Sequence, residues 1–536
     1  RKQYCLPTAI YFSKKTDAPI IFGEDALKML PMDPQNVIYD VKRLLGRRMY
    51  DLEVAQFQDT HMFKVMGDTY PRIWVPNRKM WISPEQALAI VLVHLIQMAS
   101  SSHFQAPYIR DVLVSIPAYF HNAQRKSVRS ACQLAGILNF IHIILYICTY
   151  MCIYNKIMTY KGLNLLKLVV EPTAAALAYS YYSATPKDNY KQFLTFDCGG
   201  GTTDCSILAC TGMECRYVFV YINIYAYMYI CTTQWHDEKK ALSFIANRVL
   251  GTEGNSSLGG IDFDDVIREI LFKKFKDKHG RTAANAINAQ IRRKSEKVKL
   301  SLTENDYEMV DFKYNDAFLS VKITRDEFET HPRTLALVQQ AIETAKRAIA
   351  NARMERNASI EYPLRNSNVR MILMVGGTSK LPILQKKLRE EFESGQSREK
   401  LGLDKLKIVI PQDDLQLMVV KGVSIIAGSY AYGCAHNPST CSLDNIYDEP
   451  ILEDVLPLDL GLSVCKNGTK FVCLFNLKYP AKSAPFLYCQ RFPESQVVTL
   501  KLYEGDDKYA KNNHYLGELE VTGVPPRTND QCDTIL

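Results

Sequence analysis

No C-x-x-C pair, no run of five or more basic residues and no G-x-x-x-x-G-K-[ST] motif occurs in the 536 residues. The first absence removes the common zinc-binding patterns, since the nearest spacing, Cys148 with Cys152, has no second half. The second gives no support for a nucleic-acid partner, and a net charge of +8 from 65 basic and 57 acidic residues is small for this length. The third excludes a P-loop enzyme. Tryptophan is scarce as well, 3 residues against 31 tyrosines. Fifteen cysteines are scattered without pattern, which reads as free thiols in a reducing compartment rather than a disulfide scaffold. Sequons at Asn255, Asn357 and Asn467 matter only in a secreted chain.

The apolar content of 47% and charged content of 23% are those of a globular protein, and the length suggests two to four domains. Helical spacing runs over 84–101, with Pro84 at the start. Short strands are expected in 71–81, then a strand at 111–116, a helix at 123–135, a strand at 165–170 and an Ala-rich helix at 172–182. Strands at 193–196 and 202–208 flank Gly199-Gly200-Gly201 as a hairpin. Helices dominate 262–303 and 326–353, and a strand at 369–375 runs into Gly376-Gly377 and a helix from Pro382. Strands alternating with helices imply an α/β core. Beyond an acidic-apolar linker at 449–455, short β-like runs at 460–464, 470–475, 496–502 and 516–521 read as an all-β module.

The chemistry sits at strand ends. Asp197 and Asp204 bracket the glycine hairpin, where backbone N–H groups can approach phosphate oxygens and two carboxylates can hold hydrated Mg²⁺. Thr202 and Thr203 add hydroxyls. Gly259-Gly260 precedes Asp262, and Gly376-Gly377-Thr378-Ser379 joins a strand to a helix, where an anion fits. Taken singly, these are also ordinary features. A glycine triplet makes a tight turn, Glu171 before Pro172 suits a helix N-terminus, and Lys42 reads as a solvated charge.

In order, DVKRLLGRR (40–48), VSIPAYFHNAQR (114–125), VVEPTAAALAY (169–179), FDCGGGTTDCS (196–206), SLGGIDFDD (257–265) and VGGTSKLP (375–382) resemble the nucleotide-binding domain of the heat shock protein 70 family. DVLPLDLGL (454–462), YPAK (479–482) and LYEGDDKYAKNNHYLGELEVTGVPP (502–526) are similar to its substrate-binding β-sandwich. The resemblance implies an actin-like (ribonuclease H-like) ATPase domain over 1–437, a linker over 438–454 and a partial all-β sandwich over 455–536. It implies an ATP-dependent chaperone using ATP/ADP and Mg²⁺, binding unfolded hydrophobic peptides, a J-domain co-chaperone and a nucleotide-exchange factor. A nucleic-acid or membrane partner is not expected. By the same resemblance Lys42 positions the attacking water, Glu171 orients water around the metal, and Asp197 and Asp204 form the metal site. Gly199, Gly200, Gly201 and Thr202 cradle phosphate, Glu296 and Lys299 contact ribose, and Gly259, Gly260, Gly376, Gly377, Ser379 and Lys380 line the nucleoside cleft. Pro117 and Arg125 match a relay between nucleotide and substrate domains.

Departures shape a second expectation. The family's first phosphate hairpin would precede Arg1, its adenine-stacking arginine is Leu300 opposite Lys380, residues 411–422 lose the usual pattern, and the sandwich ends without a helical lid. For the chain as it stands, weak or absent hydrolysis is expected. A non-hydrolysing holdase or exchange partner is the alternative, and a sugar kinase is disfavoured by the β module. The expected compartment is the cytoplasm, with the endoplasmic reticulum lumen as alternative.

Residues 137–162 and 217–248 fit neither part and hold nine of the 31 tyrosines. The first includes an apolar run of membrane-like hydropathy, interrupted by Asn139 and His142. Removing 137–162 joins Gly136 to Leu163 and restores a family-like ACQLAGLNLLKLVVEP. Both stretches therefore read as translated intron sequence, with real surface insertions or membrane-seeking segments as the alternatives. Sequencing the transcript across both junctions tests this, and a transcript that retains both in frame contradicts it.

Overall fold

The computed structural model describes the chain except residues 1–4, 16–17, 100–110, 137–163, 183–189, 212–246, 280–287, 315–316, 354–368, 394–405, 412–414, 437–451, 454–457, 465–469, 476–485, 489–496, 506, 523–532 and 536. Both tyrosine-rich stretches thus lie almost wholly outside the described residues, as does most of the linker. Among the described residues no helix is long and apolar enough to cross a membrane.

The chain folds as a mixed α/β protein. Its largest sheet has six strands, in the order Lys407–Val409, Val369–Val375, Tyr190–Cys198, Thr203–Thr211, Asn247–Asn255 and Leu452–Glu453. The first three run parallel, and the middle three form an antiparallel meander. Val369–Val375 reads VRMILMV, and its residues 372–375 are all buried, as a strand covered on both faces requires. The helices Gly260–His279, Asn288–Glu304, Pro332–Arg353 and Pro382–Phe392 supply Phe263, Phe275, Val298, Ile342 and Leu388 to the core under this sheet.

A second core gathers the N-terminal segment. The strands Ala9–Tyr11, Ile21–Phe22 and Val37–Tyr39 form one small antiparallel sheet, and Val65–Met66, Arg72–Val75 and Met80–Ile82 another. The helix Pro84–Ala99 packs Ala87 and Val91 into that core. Next, Asp111–Ile116 pairs in parallel with Asn164–Val170, with the helix Asn122–Gly136 between them in sequence.

On the large sheet's other side the helices Glu171–Tyr182 and Met418–His436 cross very closely. Gly422 makes this crossing: a Cβ there would lie 1.8 Å from the Ala174 carbonyl oxygen, so only hydrogen fits between the two backbones.

The C-terminal sheet is antiparallel, in the order Lys470–Phe475, Leu460–Val464, Val497–Glu504 and His514–Thr522, with Phe486–Tyr488 and Asp533–Ile535 pairing separately. These four strands fall where the short β-like runs predict them. One feature of the expected linker differs. Leu452 and Glu453 pair in parallel with Asn247 and Arg248, so this piece is an edge strand of the large sheet. A short extended segment with free N–H and C=O groups satisfies them most directly on an exposed sheet edge.

Candidate functional site

Asp197 is the penultimate residue of its strand and Asp204 the second of the next, and the two are direct register partners. Antiparallel partners project to the same face, so both carboxylates meet beside the glycine turn. That turn closes through Gly199 N–H to the Thr202 carbonyl at 2.9 Å. Its tip is clamped from two sides. Gly260 and Ile261 donate backbone N–H groups to the Gly199 and Gly200 carbonyls, each at 2.9 Å, and the Thr378 hydroxyl donates to the Gly199 carbonyl at 2.7 Å. The glycine pairs 259–260 and 376–377, far apart in sequence, therefore converge on the hairpin. Gly376 has φ +84, and a Cβ on it would lie 2.3 Å from the Cys198 carbonyl oxygen and 2.5 Å from Asp197 Oδ1. No other residue type fits there without displacing the carboxylate.

Lys42 reaches this cluster from the short helix Val41–Leu44, its Nζ 2.9 Å from Oε1 of Glu171 at the start of the helix Glu171–Tyr182. The Lys42 side chain remains 46% exposed, so it stands at the mouth of the site. Burial alone would lower its ammonium, but Glu171, Asp204 and Asp197 outweigh that and raise it.

Asp204 is 2% exposed, and burial together with the Glu171 charge pushes its carboxyl up to about 7, despite help from the Tyr119 N–H, Lys42 and Thr202. Burial, Glu171 and Asp204 push Asp197 well above the carboxylate range, against the pull of Lys42. Three carboxylates thus face one ammonium, and the excess negative charge is relieved by protons in the bare site or by a cation. Among the described residues no three His, Cys, Asp or Glu side chains could chelate a metal directly. This donor set, with two adjacent carboxylates and backbone polar groups around an open face, suits a magnesium ion that keeps its waters.

The other expected residues divide. Ser379 is buried and bonds its own strand's Val375 carbonyl. Gly377 lies against Gln416, where a Cβ would come 2.6 Å from Nε2. Lys299 is buried, 2.8 Å from Asp264 Oδ1 and 2.9 Å from the Gly260 carbonyl, so it braces the glycine turn. Its Glu296 neighbour and Lys380 face solvent, and Leu300 is 50% exposed.

Several residues of the site escaped sequence reasoning. Arg43, next to Lys42, bonds Asp262 Oδ2 at 2.7 Å and the Gly201 carbonyl at 3.1 Å, fastening the N-terminal segment to the hairpin tip. Arg292 pairs with Asp40 and Arg293 with Glu24 across the same gap. Arg292 helps to hold the Asp40 carboxyl down to about 2 against the effect of its burial. Tyr119 N–H donates to Asp204 Oδ1 at 3.1 Å. Arg125, expected in the relay, donates from its guanidinium to the Phe120 carbonyl at 2.7 Å, while Asn122 N–H, which the sequence did not single out, donates to Glu504 Oε2 at 2.7 Å. The segment from Pro117 to Arg125 thus touches the carboxylate site at one end and the C-terminal sheet at the other. The only sequence signal for these contacts was adjacency to residues already singled out.

Glycine turns thus converge on clustered carboxylates, and a separate antiparallel sheet follows them in the chain. The sequence matches the Hsp70 protein family over residues 2–145, 155–214, 246–410 and 426–535, and the chain belongs to that family. Its members generally bind nucleotide, unfolded polypeptides and co-chaperones. The match skips 146–154 and 215–245, inside and across the two tyrosine-rich stretches, and 411–425, which includes the segment 411–422 expected to depart from the family pattern.

Proposed function

We propose that this chain is an ATP-dependent chaperone, in which nucleotide at the 197–204 hairpin controls the hold of a β-sandwich on extended hydrophobic polypeptides. The observation that carries the reading is the convergence of Gly199–Thr202, Gly259–Gly260 and Gly376–Gly377 on buried Asp197 and Asp204, with Lys42 at the mouth. In this reading residues 1–437 form an actin-like nucleotide domain, 438–454 the connection and 455–536 the sandwich. The hairpin N–H groups would hold phosphate, and Asp197 and Asp204 would hold magnesium through its waters. The ion supplies charge neutralisation between the phosphate oxygens and the carboxylates. Lys42 and Glu171 keep a water and its proton oriented at the open face, which is the positioning that phosphoryl transfer demands. Lys299 acts through the Gly260 turn it braces. A J-domain protein and a nucleotide-exchange factor are the proposed partners. Cys5, Cys132, Cys198 and Cys205 are free thiols, which suits a cytoplasmic setting.

A second reading, a non-hydrolysing holdase, is favoured by the exposed Leu300 and by the break in the family match at 411–425. Release of a labelled hydrophobic peptide, timed in Mg-ATP and in Mg-ADP alongside phosphate release, separates the two. The ATP-driven chaperone releases peptide several-fold faster in ATP and turns ATP over. Peptide release at one rate in both nucleotides, without turnover, rejects the ATP-driven reading.

A further inference from the structure

At the junction between the Pro117–Arg125 segment and the C-terminal sheet, two histidines meet. The rings of His121 and His514 stack at 4.0 Å between centroids, tilted by 22°. His121 is 5% exposed, and neither of its ring nitrogens has a hydrogen-bond partner. One residue on, Asn122 opens the helix Asn122–Gly136, and its N–H is taken by Glu504, itself 3% exposed. A carboxylate at a helix N-terminus is favoured by the exposed N–H groups and the dipole. The contact is therefore built from one anchoring bond and one stack whose rings must both stay uncharged.

We propose that the C-terminal sheet docks onto the start of this helix through a proton-sensitive seam. Neutral His121 and His514 close the seam, and their protonation releases the sheet. The surroundings set the direction. Arg47 stands near both rings, and Arg48, Asp51 and Glu53 face His514. Arg47 is occupied by Glu53 at 2.9 Å and the Ser256 hydroxyl at 2.8 Å. Arg125 lies near Glu504. A proton on either ring would place a cation against a second imidazole and Arg47, in a space with no acceptor for His121. Burial, then His514 and Arg47, drive His121 down to about 2, and burial followed by Arg47 lowers His514.

Released into water, both rings return to an ordinary value of about 6.5. Each ring that stays neutral in the docked form then costs about tenfold in docking between pH 7.5 and pH 5.5, and the pair about a hundredfold. Glu504 works the other way. Its carboxyl is raised in the docked form by burial, so its contribution grows as pH falls and is lost as pH rises through the docked value.

The seam joins the proposed nucleotide-bearing part to the proposed sandwich, but its test needs no hydrolysis. Small-angle scattering of the whole chain between about pH 7.5 and pH 5.5 reads docking as compactness. The wild type is expected to expand on acidification, the His121→Asn, His514→Leu double variant to stay compact, and Glu504→Gln, which stays neutral, to open at lower pH than wild type. A wild type with no pH-dependent expansion, or a folded double variant that opens as the wild type does, overturns the proposal. If the double variant does not fold, hydrogen exchange of the wild type, corrected for intrinsic pH dependence, decides. Amides of 122–126 and 514–522 should lose protection in acid while 369–375 keep theirs, and unchanged protection at the first two segments is the contradicting result.

Discussion

Asp204→Asn is expected to raise the stability of the ligand-free protein by about 1–3 kcal/mol at pH 8 while weakening magnesium-nucleotide binding by about a hundredfold. The two effects share one cause. Asp204 and Asp197 are opposite each other on adjacent strands, out of water and close to Glu171. The Asp204 carboxyl moves from an ordinary 3.8 to about 7 because the folded chain resists its charge. A raised folded-state value means that its contribution to stability is full below the unfolded value and lost as pH rises through about 7. Asparagine removes that loss and can still accept the Tyr119 N–H. The full shift would correspond to about 4 kcal/mol at about 1.4 per unit, and rearrangement of the folded chain around the charged carboxylate offsets part of it. The gain should therefore be clear in denaturant unfolding at pH 8 and vanish near pH 4. A variant less stable than wild type at pH 8 would show that the carboxylate is a satisfied structural partner. In the wild type the same proton competes with the cation, so magnesium-nucleotide affinity should climb as pH rises from about 6 to about 8.

Gly376→Ala is expected to cost about 3 kcal/mol or more, because backbone strain and overlap act together. Alanine at φ +84 is strained, and its methyl would sit 2.3 Å from the Cys198 carbonyl oxygen and 2.5 Å from Asp197 Oδ1. Relief requires the Val369–Val375 strand to move away from Tyr190–Cys198, which opens the sheet at the site itself. Gly428→Ala is the matched control. It lies within the helix Met418–His436, a Cβ there meets nothing within 4 Å, and alanine should stabilise by about 0.5–1 kcal/mol. Thermal unfolding of both variants checks the pair. A Gly376→Ala protein that melts with the wild type would remove the claim that this turn is pinned against the carboxylate.

Much of the site could be read from local pattern. Asp197, Asp204 and the glycine pairs announce themselves at strand ends, and the strand Val369–Val375 falls where the apolar run 371–375 places it. The helix Pro84–Ala99 shows Pro at its start and apolar spacing, and Leu460–Val464 and Lys470–Phe475 are short β-like runs. What stayed hidden depends on partners distant in sequence. Nothing local says that Lys299 will turn to Asp264 and Gly260, or that Arg43 rather than Lys42 will fasten the hairpin tip. The hairpin Tyr307–Tyr314 with Ala317–Thr324 escaped because Tyr307, Met309 and Phe318 put apolar side chains on its exposed face and Glu308 puts a charge on the other, although Val310 and Ile323 are buried. The strand Leu452–Glu453 looked like linker because a two-residue strand exists only through the edge it joins. Asn122 and Glu504 lie 382 positions apart, so only the fold could pair them.

The central claim is that nucleotide binds where the three glycine turns meet the paired aspartates. Hydrogen exchange of the chain with and without Mg-ADP tests it most directly. The account predicts new protection at 198–204, 259–262 and 376–381, all of it lost in Asp204→Asn. Binding that leaves those three segments unprotected, or that protects them equally in the variant, contradicts it.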